Sequence, residues 1–498
     1  MTQQVEALKA RCAWLEQQLF GRKTEQRKDI AGAALVDQRE IPDFQEGNEG
    51  KSQKRGQQPG SSGHGRTRHP QLPAEIIPHD LPKEKQRCPQ CNKPFAVFPG
   101  AEDSEDIHWE VRVVRHVHKR TRYLPTCHCK AVPGIVTAPL APKLMAKGKF
   151  SIGFWSRLIL EKFLFQRPLH RIRQVLALEG LKVSQGTLTG GLERISKLLG
   201  PVYGRILEHS RMAEHRHMDE TRWMVFADVE GKVGHRWWLW VDVTGDTCVY
   251  LLDPSRSADV LKNHLGETWQ GIISADRYSA YKAHQAVVLG LGRKILIAFC
   301  WAHERRDFLK IYNSCPTLRP WAKTWLLRIR DLFILNKKRL IERSSPEAFK
   351  EKDQKLREAV LAIEVVRDRE LADPTLYSEQ RKALESMSNH WDGLTLFVDH
   401  LEIPMDNNES ERRLRNPIIG RKNYYGSGSV WSGQFSAEIF TILQTLLMNH
   451  IDPKQWLVDY LEVCAKNVGR PPEDIDRFLP WNMSAWQKAA WRYPRDPP

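Results

Sequence analysis

Two aspartates and a glutamate, widely separated along the chain, sit in segments that would fix each of them to regular structure. The run Gly271-Ile272-Ile273-Ser274-Ala275-Asp276 reads as a short buried strand that ends on an acidic residue. An aspartate there is held by a rigid element with its head exposed, as a metal ligand needs to be. Asp219 lies in His217-Met218-Asp219-Glu220-Thr221-Arg222-Trp223-Met224-Val225-Phe226, a second predicted strand. Glu411 belongs to Asp406-Asn407-Asn408-Glu409-Ser410-Glu411-Arg412-Arg413-Leu414-Arg415, where the pattern predicts a helix with Asp406 or Asn407 as N-cap and Leu414 turned inward. A carboxylate beside Arg412, Arg413 and Arg415, just ahead of the basic and aromatic segment from Pro417 to Gly426, suits a place where divalent cations meet nucleic-acid phosphates. Two-metal phosphoryl transfer needs carboxylates to hold the ions that activate the attacking oxygen and stabilise the leaving one. Alone, this stretch reads equally well as a capped, solvated helix with surface ion pairs. The two aspartates shift the balance toward one shared site.

Charge points the same way. Lys+Arg 76 against Asp+Glu 60 gives a net +16, spread through the chain rather than confined to a tail, which favours a polyanionic partner. No apolar run is long enough to cross a membrane, and the N-terminus, Met1-Thr2-Gln3-Gln4-Val5-Glu6, has no signal-peptide pattern. Nine cysteines, sparse and odd in number, fit a reducing compartment better than a disulfide framework. The expectation from composition is a cytoplasmic protein with a polyanionic partner and no membrane.

The motifs Asp219-Glu220-Thr221, Asp276-Arg277-Tyr278 and Cys300-Trp301-Ala302-His303-Glu304-Arg305-Arg306-Asp307-Phe308, followed by the Asp406 to Arg415 block with Gly420-Arg421-Lys422-Asn423, occur in one order along the chain. In these residues, and over nearly its whole length, the sequence resembles the large transposase of the bacterial insertion-sequence sixty-six family, with a DDE-type, ribonuclease-H-like catalytic core. The resemblance implies a catalytic triad of Asp219, Asp276 and Glu411 holding two Mg²⁺ or Mn²⁺ ions. It also implies binding to the terminal inverted repeats of an insertion sequence, DNA cleavage, strand transfer and small accessory proteins from the same element. Arg306, Arg412, Arg415, Arg421 and Lys422 are the expected phosphate contacts, which set register and salt dependence rather than sequence choice. The rival expectations are a catalytically inactive or domesticated DNA-binding regulator and a structure-specific nuclease on the same fold.

The order of elements from residue 206 agrees with such a core. After the Asp219 strand come Arg236 to Val243 and Thr247 to Leu252, separated by Gly231 and by Gly245-Asp246, so a three-stranded antiparallel meander is the simplest arrangement. A helix over about 257–269 then crosses to the Asp276 strand, making Asp219 and Asp276 neighbours. Asp228 and Asp242 are rival carboxylates, both expected in turns or on the surface. Ile295 to Phe299 forms another buried strand, leading into Cys300 and His303. These have metal-ligand spacing but no second pair nearby, so a packed cysteine and a histidine near the active site is the better reading.

Around this core the chain reads as a multidomain α/β protein. Residues 1–28 form a heptad helix on Val5, Leu8, Cys12, Leu15 and Leu19, either a homo-oligomerising coiled coil or a helix packed on its own protein. Residues 29–75 are a flexible basic linker. Residues 76–140 form a ribbon-like zinc unit with Cys88 and Cys91 facing Cys127 and Cys129. The His128 imidazole is an alternative ligand in place of one of these thiolates, unmetallated cysteines are the other alternative, and a basic-faced strand is expected over 109–120. Residues 141–205 form a helical DNA-binding unit, in which Leu178 to Leu188 reads as helix, glycine turn and serine-capped helix, a helix-turn-helix shape. The ribonuclease-H-like core occupies 206–315 and 396–450, interrupted by a helical insertion at 316–395. A C-terminal helical tail, 451–498, completes the chain and is expected to become peripheral and irregular around Trp481, Trp486 and Trp491.

Overall fold

The structure is a computed structural model that describes residues 148–492 apart from 267, together with shorter stretches between 76 and 146. The expected heptad helix and basic linker lie outside the described residues. One compact unit includes Val113–Pro498, and a smaller one is Pro42–Arg112. In the smaller unit, Arg87 and Pro94 form an antiparallel bridge around an exposed turn that contains Cys91. The strand expected over 109–120 is not formed in its described part, 112–120. A short antiparallel pair follows instead, β1 (Arg122–Tyr123) with β2 (Val136–Thr137).

Helix α1 (Ile152–Ile159) is capped by Ser151 and passes into a π-helical turn, Leu160–Leu164. Helix α2 (Leu169–Leu178) ends ahead of Gly180, whose φ of 83° is the left-handed region that glycine enters without steric cost. Ser184 Oγ then accepts the Thr187 N–H at 3.1 Å and starts α3 (Gln185–Ser210). The first half of α3 packs on α1 so closely that a Cβ added at Gly191 would lie 1.9 Å from the Trp155 ring. Its second half buries Leu198, Leu199, Val202 and Ile206 in the same core as Trp223, Val241 and Phe440. The helical unit and the sheet therefore share one apolar interior.

The meander expected from the turn signals is formed by β3 (His215–Val225), β4 (Arg236–Val243) and β5 (Cys248–Asp253), with Asp219 opposite Val241. Ser257 caps α4 (Ala258–Leu265), which leads to β6 (Gly271–Ala275), parallel to β3 with His217 beside Ser274. Helix α5 (Ser279–Gly290) leads to β7 (Ile295–Phe299), parallel to β6. The sheet order β5-β4-β3-β6-β7, three antiparallel strands followed by two parallel ones, is consistent with a ribonuclease-H-like core.

Helix α6 (Trp301–Ser314) leaves β7 directly. The helical block α7 (Arg319–Ile341), α8 (Pro346–Leu371), α9 (Ser378–Asn389) and α10 (Trp391–Asp399) follows, with Trp325, Leu326 and Leu332 buried. Helix α11 (Asn408–Tyr424) returns the chain to the sheet. Strand β8 (Gly426–Ser427) extends β3 at Met224 and Val225, and α12 (Val430–Met448) closes the core. Asp452 caps α13 (Pro453–Lys466), and α14 (Ala485–Ala490) is the last helix. Among the described residues no helix is long and apolar enough to cross a membrane.

Two features differ from the sequence reading. Asp242 is neither a turn nor a surface residue: it is fully buried on β4, where Arg216 Nη1 at 2.5 Å, His264 Nε2 at 2.7 Å and Ser210 Oγ at 3.2 Å all reach its Oδ2. A buried carboxylate is retained only where such partners compensate its lost hydration. The tail is only partly peripheral. Trp481 stacks on His209 at 3.7 Å and Trp491 is buried with Phe478, whereas Trp486 is exposed.

Candidate active site

Side chains alternate along β3. His217, Asp219 and Thr221 share one face, and Met218 and Glu220 the other. Carrying the β3–β6 register two residues past His217 and Ser274 brings Asp276, just beyond the end of β6, level with Asp219. Asp219 Oδ1 accepts the Glu220 backbone N–H at 2.8 Å, and Asp276 Oδ1 accepts that of Tyr278 at 2.9 Å. Burial lifts the Asp219 carboxyl to about 8, and the negative charges of Glu220, Asp276 and Glu411 push in the same direction.

Glu411 arrives from the far side of the helical block, in the first turn of α11. Arg306 Nη2 lies 2.8 and 3.0 Å from its two carboxylate oxygens, and His303 Nε2 lies 3.6 Å from Oε1. Both partners stand on α6, one turn apart. Burial lowers the His303 pKa, helped by Arg306 and opposed by Glu411 and Asp276. Cys300 at the start of α6 is buried, and its Sγ accepts the Asn407 N–H, as expected for a packed cysteine.

The three carboxylates thus lie in one electrostatic neighbourhood, although they come from β3, the end of β6 and α11. Among the described residues, as placed, no group of three or more His, Cys, Asp or Glu side chains is assembled for an ion. The chemistry of the donors nevertheless suits a hard divalent cation. They are carboxylate oxygens, and burial, reinforced by the negative charges of Glu220, Asp276 and Glu411 that a cation would offset, holds the Asp219 carboxyl up at about 8.

The expected phosphate contacts separate into two kinds. Arg306 rests on Glu411, and Arg421 reaches back from α11 to Thr221 Oγ1, at 2.8 Å, and to the Arg222 carbonyl. Arg412, Arg415 and Lys422 are exposed on α11, with Arg412 Nη1 donating to Glu409 at 2.8 Å. Of the four proposed zinc cysteines only Cys91 is among the described residues; Cys88, Cys127 and Cys129 lie outside them.

Two polar clusters behind the carboxylates have no counterpart in the sequence reading. The buried Glu220 carboxylate accepts from Arg256 Nε at 2.7 Å and from Tyr281 Oη at 3.0 Å, while Arg256 stacks on Tyr278 and Trp238. Arg277 donates to Glu304, Asp307 and Ser386, tying the Asp276 turn to α6 and α9. Adjacency was the only available signal, since Glu220 follows Asp219 and Arg277 follows Asp276.

The profile of the Transposase IS66 family matches residues 147–435, more than half of the chain and all three carboxylates. The chain belongs to the IS66 transposase family. It is therefore a DDE transposase, an enzyme of DNA phosphoryl transfer, and the family implies divalent metal ions and DNA as partner. Among curated proteins it is similar to three from Sinorhizobium fredii (strain NBRC 101917 / NGR234). Uncharacterized protein y4jD is 26% identical over 434 residues, covering 83% of this chain and 82% of the relative. Uncharacterized protein y4qI is 27% identical over 365 residues, covering 70% and 66%. Uncharacterized protein y4hP is 25% identical over 405 residues, covering 78% and 71%. No solved structure matches the IS66 transposase chain.

Proposed function

We propose that this IS66-family transposase binds the terminal inverted repeats of its own insertion sequence, cuts at the element ends and joins the freed 3′ hydroxyls to target DNA. Asp219, Asp276 and Glu411 are the residues that would hold two Mg²⁺ or Mn²⁺ ions. When bound, such ions supply Lewis-acid activation of the attacking oxygen and neutralise charge on the leaving one. The observation that carries the reading is the docking of the Glu411 helix onto the Asp219 strand, level with Asp276, where three carboxylates from remote parts of the chain act on one another. Arg306 orients Glu411. Arg412, Arg415 and Lys422 offer exposed charge to the DNA backbone, and Arg421 holds α11 against β3 beside them. The α2–α3 pair, with its glycine turn and Ser184 cap, provides a recognition helix, and a zinc ribbon at Cys88, Cys91, Cys127 and Cys129 extends the DNA contact. Self-association and accessory proteins of the element complete the working assembly.

The test mixes purified protein, Mn²⁺ and a labelled duplex carrying one element end with supercoiled plasmid, using wild type and Glu411→Ala. Joined product from the wild type alone is expected. Specific binding with neither cleavage nor joining from the wild type would favour a DNA-binding regulator.

A further inference from the structure

Asn407 is the N-cap of the Glu411 helix, yet its side chain makes no capping hydrogen bond to that helix. An N-cap asparagine ordinarily accepts from a backbone N–H two or three residues on, a contact worth about 1 kcal/mol. Here Asp406 does part of that work, its Oδ1 accepting the Asn408 N–H at 3.2 Å. The Asn407 amide turns instead toward β3. Its Nδ2 donates to the Met218 carbonyl at 2.8 Å, and its Oδ1 lies 3.0 Å from His217 Nδ1. Met218 immediately precedes Asp219. A carbonyl can only accept, so the amide must present its NH₂ to Met218 and its oxygen to His217. The His217 proton is therefore on Nδ1, which leaves Nε2 as the lone-pair nitrogen.

The backbone of the same residue fixes the other two parts of the site. The Asn407 N–H donates to Cys300 Sγ at 3.2 Å, anchoring it where β7 passes into the helix that carries His303 and Arg306. Its carbonyl accepts from Ser410 Oγ at 3.0 Å and from the Glu411 N–H at 3.4 Å. One residue, 1% exposed, thus joins the Asp219 strand, the start of the Arg306 helix and the turn bearing Glu411.

We infer that Asn407 is a positioning residue for DNA cleavage and joining: it sets the distance and orientation between the Glu411 and Asp219 carboxylates, and locks His217 in its Nδ1–H tautomer beside them. Resting on the proposed roles of Asp219 and Glu411, the inference adds the residue that makes their separation reproducible. Partners of this kind, one step behind ion-binding groups, typically change ion affinity or activity by 10- to 100-fold when removed.

The test uses the full-length protein and Mn²⁺ as probe. Asn407→Asp keeps the size and the acceptor for His217 but replaces the donor to Met218 with an oxygen. His217→Ala removes only the imidazole arm and leaves the buried Asn407 in place, which guards against a variant that fails to fold. Mn²⁺ binding without DNA is followed by electron paramagnetic resonance, alongside the melting temperature, the KM for an end duplex and the turnover at saturating duplex. For Asn407→Asp the expectation is Mn²⁺ affinity and turnover both lower by roughly 10- to 100-fold, with KM for the duplex within about threefold of wild type. A smaller loss in the same direction is expected for His217→Ala. A lowered melting temperature with wild-type Mn²⁺ affinity in both variants would overturn the inference, because Asn407 would then be only a fold-stabilising contact. Asp219→Ala, assayed in parallel, separates the two levels: full turnover in that variant would remove the underlying reading of the site, whatever the Asn407 result.

Discussion

Arg306 Nη2 sits between the two carboxylate oxygens of Glu411, 2.8 Å from one and 3.0 Å from the other. A single nitrogen makes both contacts, so the planar fork of the guanidinium is not what Glu411 requires. Arg306→Ala is expected to lower turnover at least tenfold, and Arg306→Lys to restore part of it, since one ammonium can take the place of Nη2. If Arg306 also meets a DNA phosphate, the alanine variant should reduce the slope of log affinity against log salt by about 1. Binding isotherms at four salt concentrations, with single-turnover cleavage, check both parts.

Asp219 and Asp276 should behave alike in catalysis. Asp219→Asn and Asp276→Ala are each expected to abolish cleavage and joining while leaving affinity for an element end within a few-fold of wild type. A gel-shift titration beside a cleavage assay measures this. Loss of binding in either variant would assign that aspartate a structural role.

Lys162 provides a pH signature remote from the carboxylates. Its amine lies 3.0 Å from the centroid of the Tyr424 ring, and burial lowers its pKa from 10.5 to about 7. Between those values the unfolded chain holds a proton that the folded chain has released, so stability rises as pH increases from about 7 toward 10.5. Below about 7 both states are protonated and the cost of burying the charge is fully present. Melting temperatures across pH 6 to 9.5 should therefore climb more steeply for wild type than for Lys162→Met, with the variant the more stable of the two at the acid end.

Gly191→Ala tests the seam between α1 and α3. Alanine improves helix propensity by roughly 1 kcal/mol, but its Cβ would lie 1.9 Å from the Trp155 ring, which is 3% exposed and has nowhere to move. Overpacking of this kind costs about 1–3 kcal/mol. The upper end should apply, giving net destabilisation in a denaturant titration.

Much of this architecture was legible because it is locally encoded. The apolar run before Asp276, the Gly180 turn and the Ser184 cap each announce an element within a few residues, and the structure forms each of them. Residues whose meaning depends on remote partners were harder to read. Asp242 stands between Val241 and Val243 in an unremarkable strand pattern; only Arg216, His264 and Ser210, 22 to 32 positions away, make its burial tolerable. Asn407 was legible as a possible N-cap, but the diversion of its side chain to His217, 190 positions earlier, was not. Trp491 looked peripheral because nothing near it in sequence reveals that its ring stacks on Phe478 at the edge of the core. The expectation of one site from Asp219, Asp276 and Glu411 needed three weak local signals to be read together.

Strand β3 is completed from far along the chain. Ser427 pairs with Val225, and Trp223 Nε1 donates to Ser427 Oγ across a separation of 204 positions. On the ribosome, both aspartates emerge and the meander can pair well before Glu411 is added. A polypeptide that stops before residue 411 therefore lacks Glu411 and the β8 segment that pairs with β3. On the proposed roles of Asp219, Asp276 and Glu411, a polypeptide that stops short of Glu411 cannot assemble the ion-binding site.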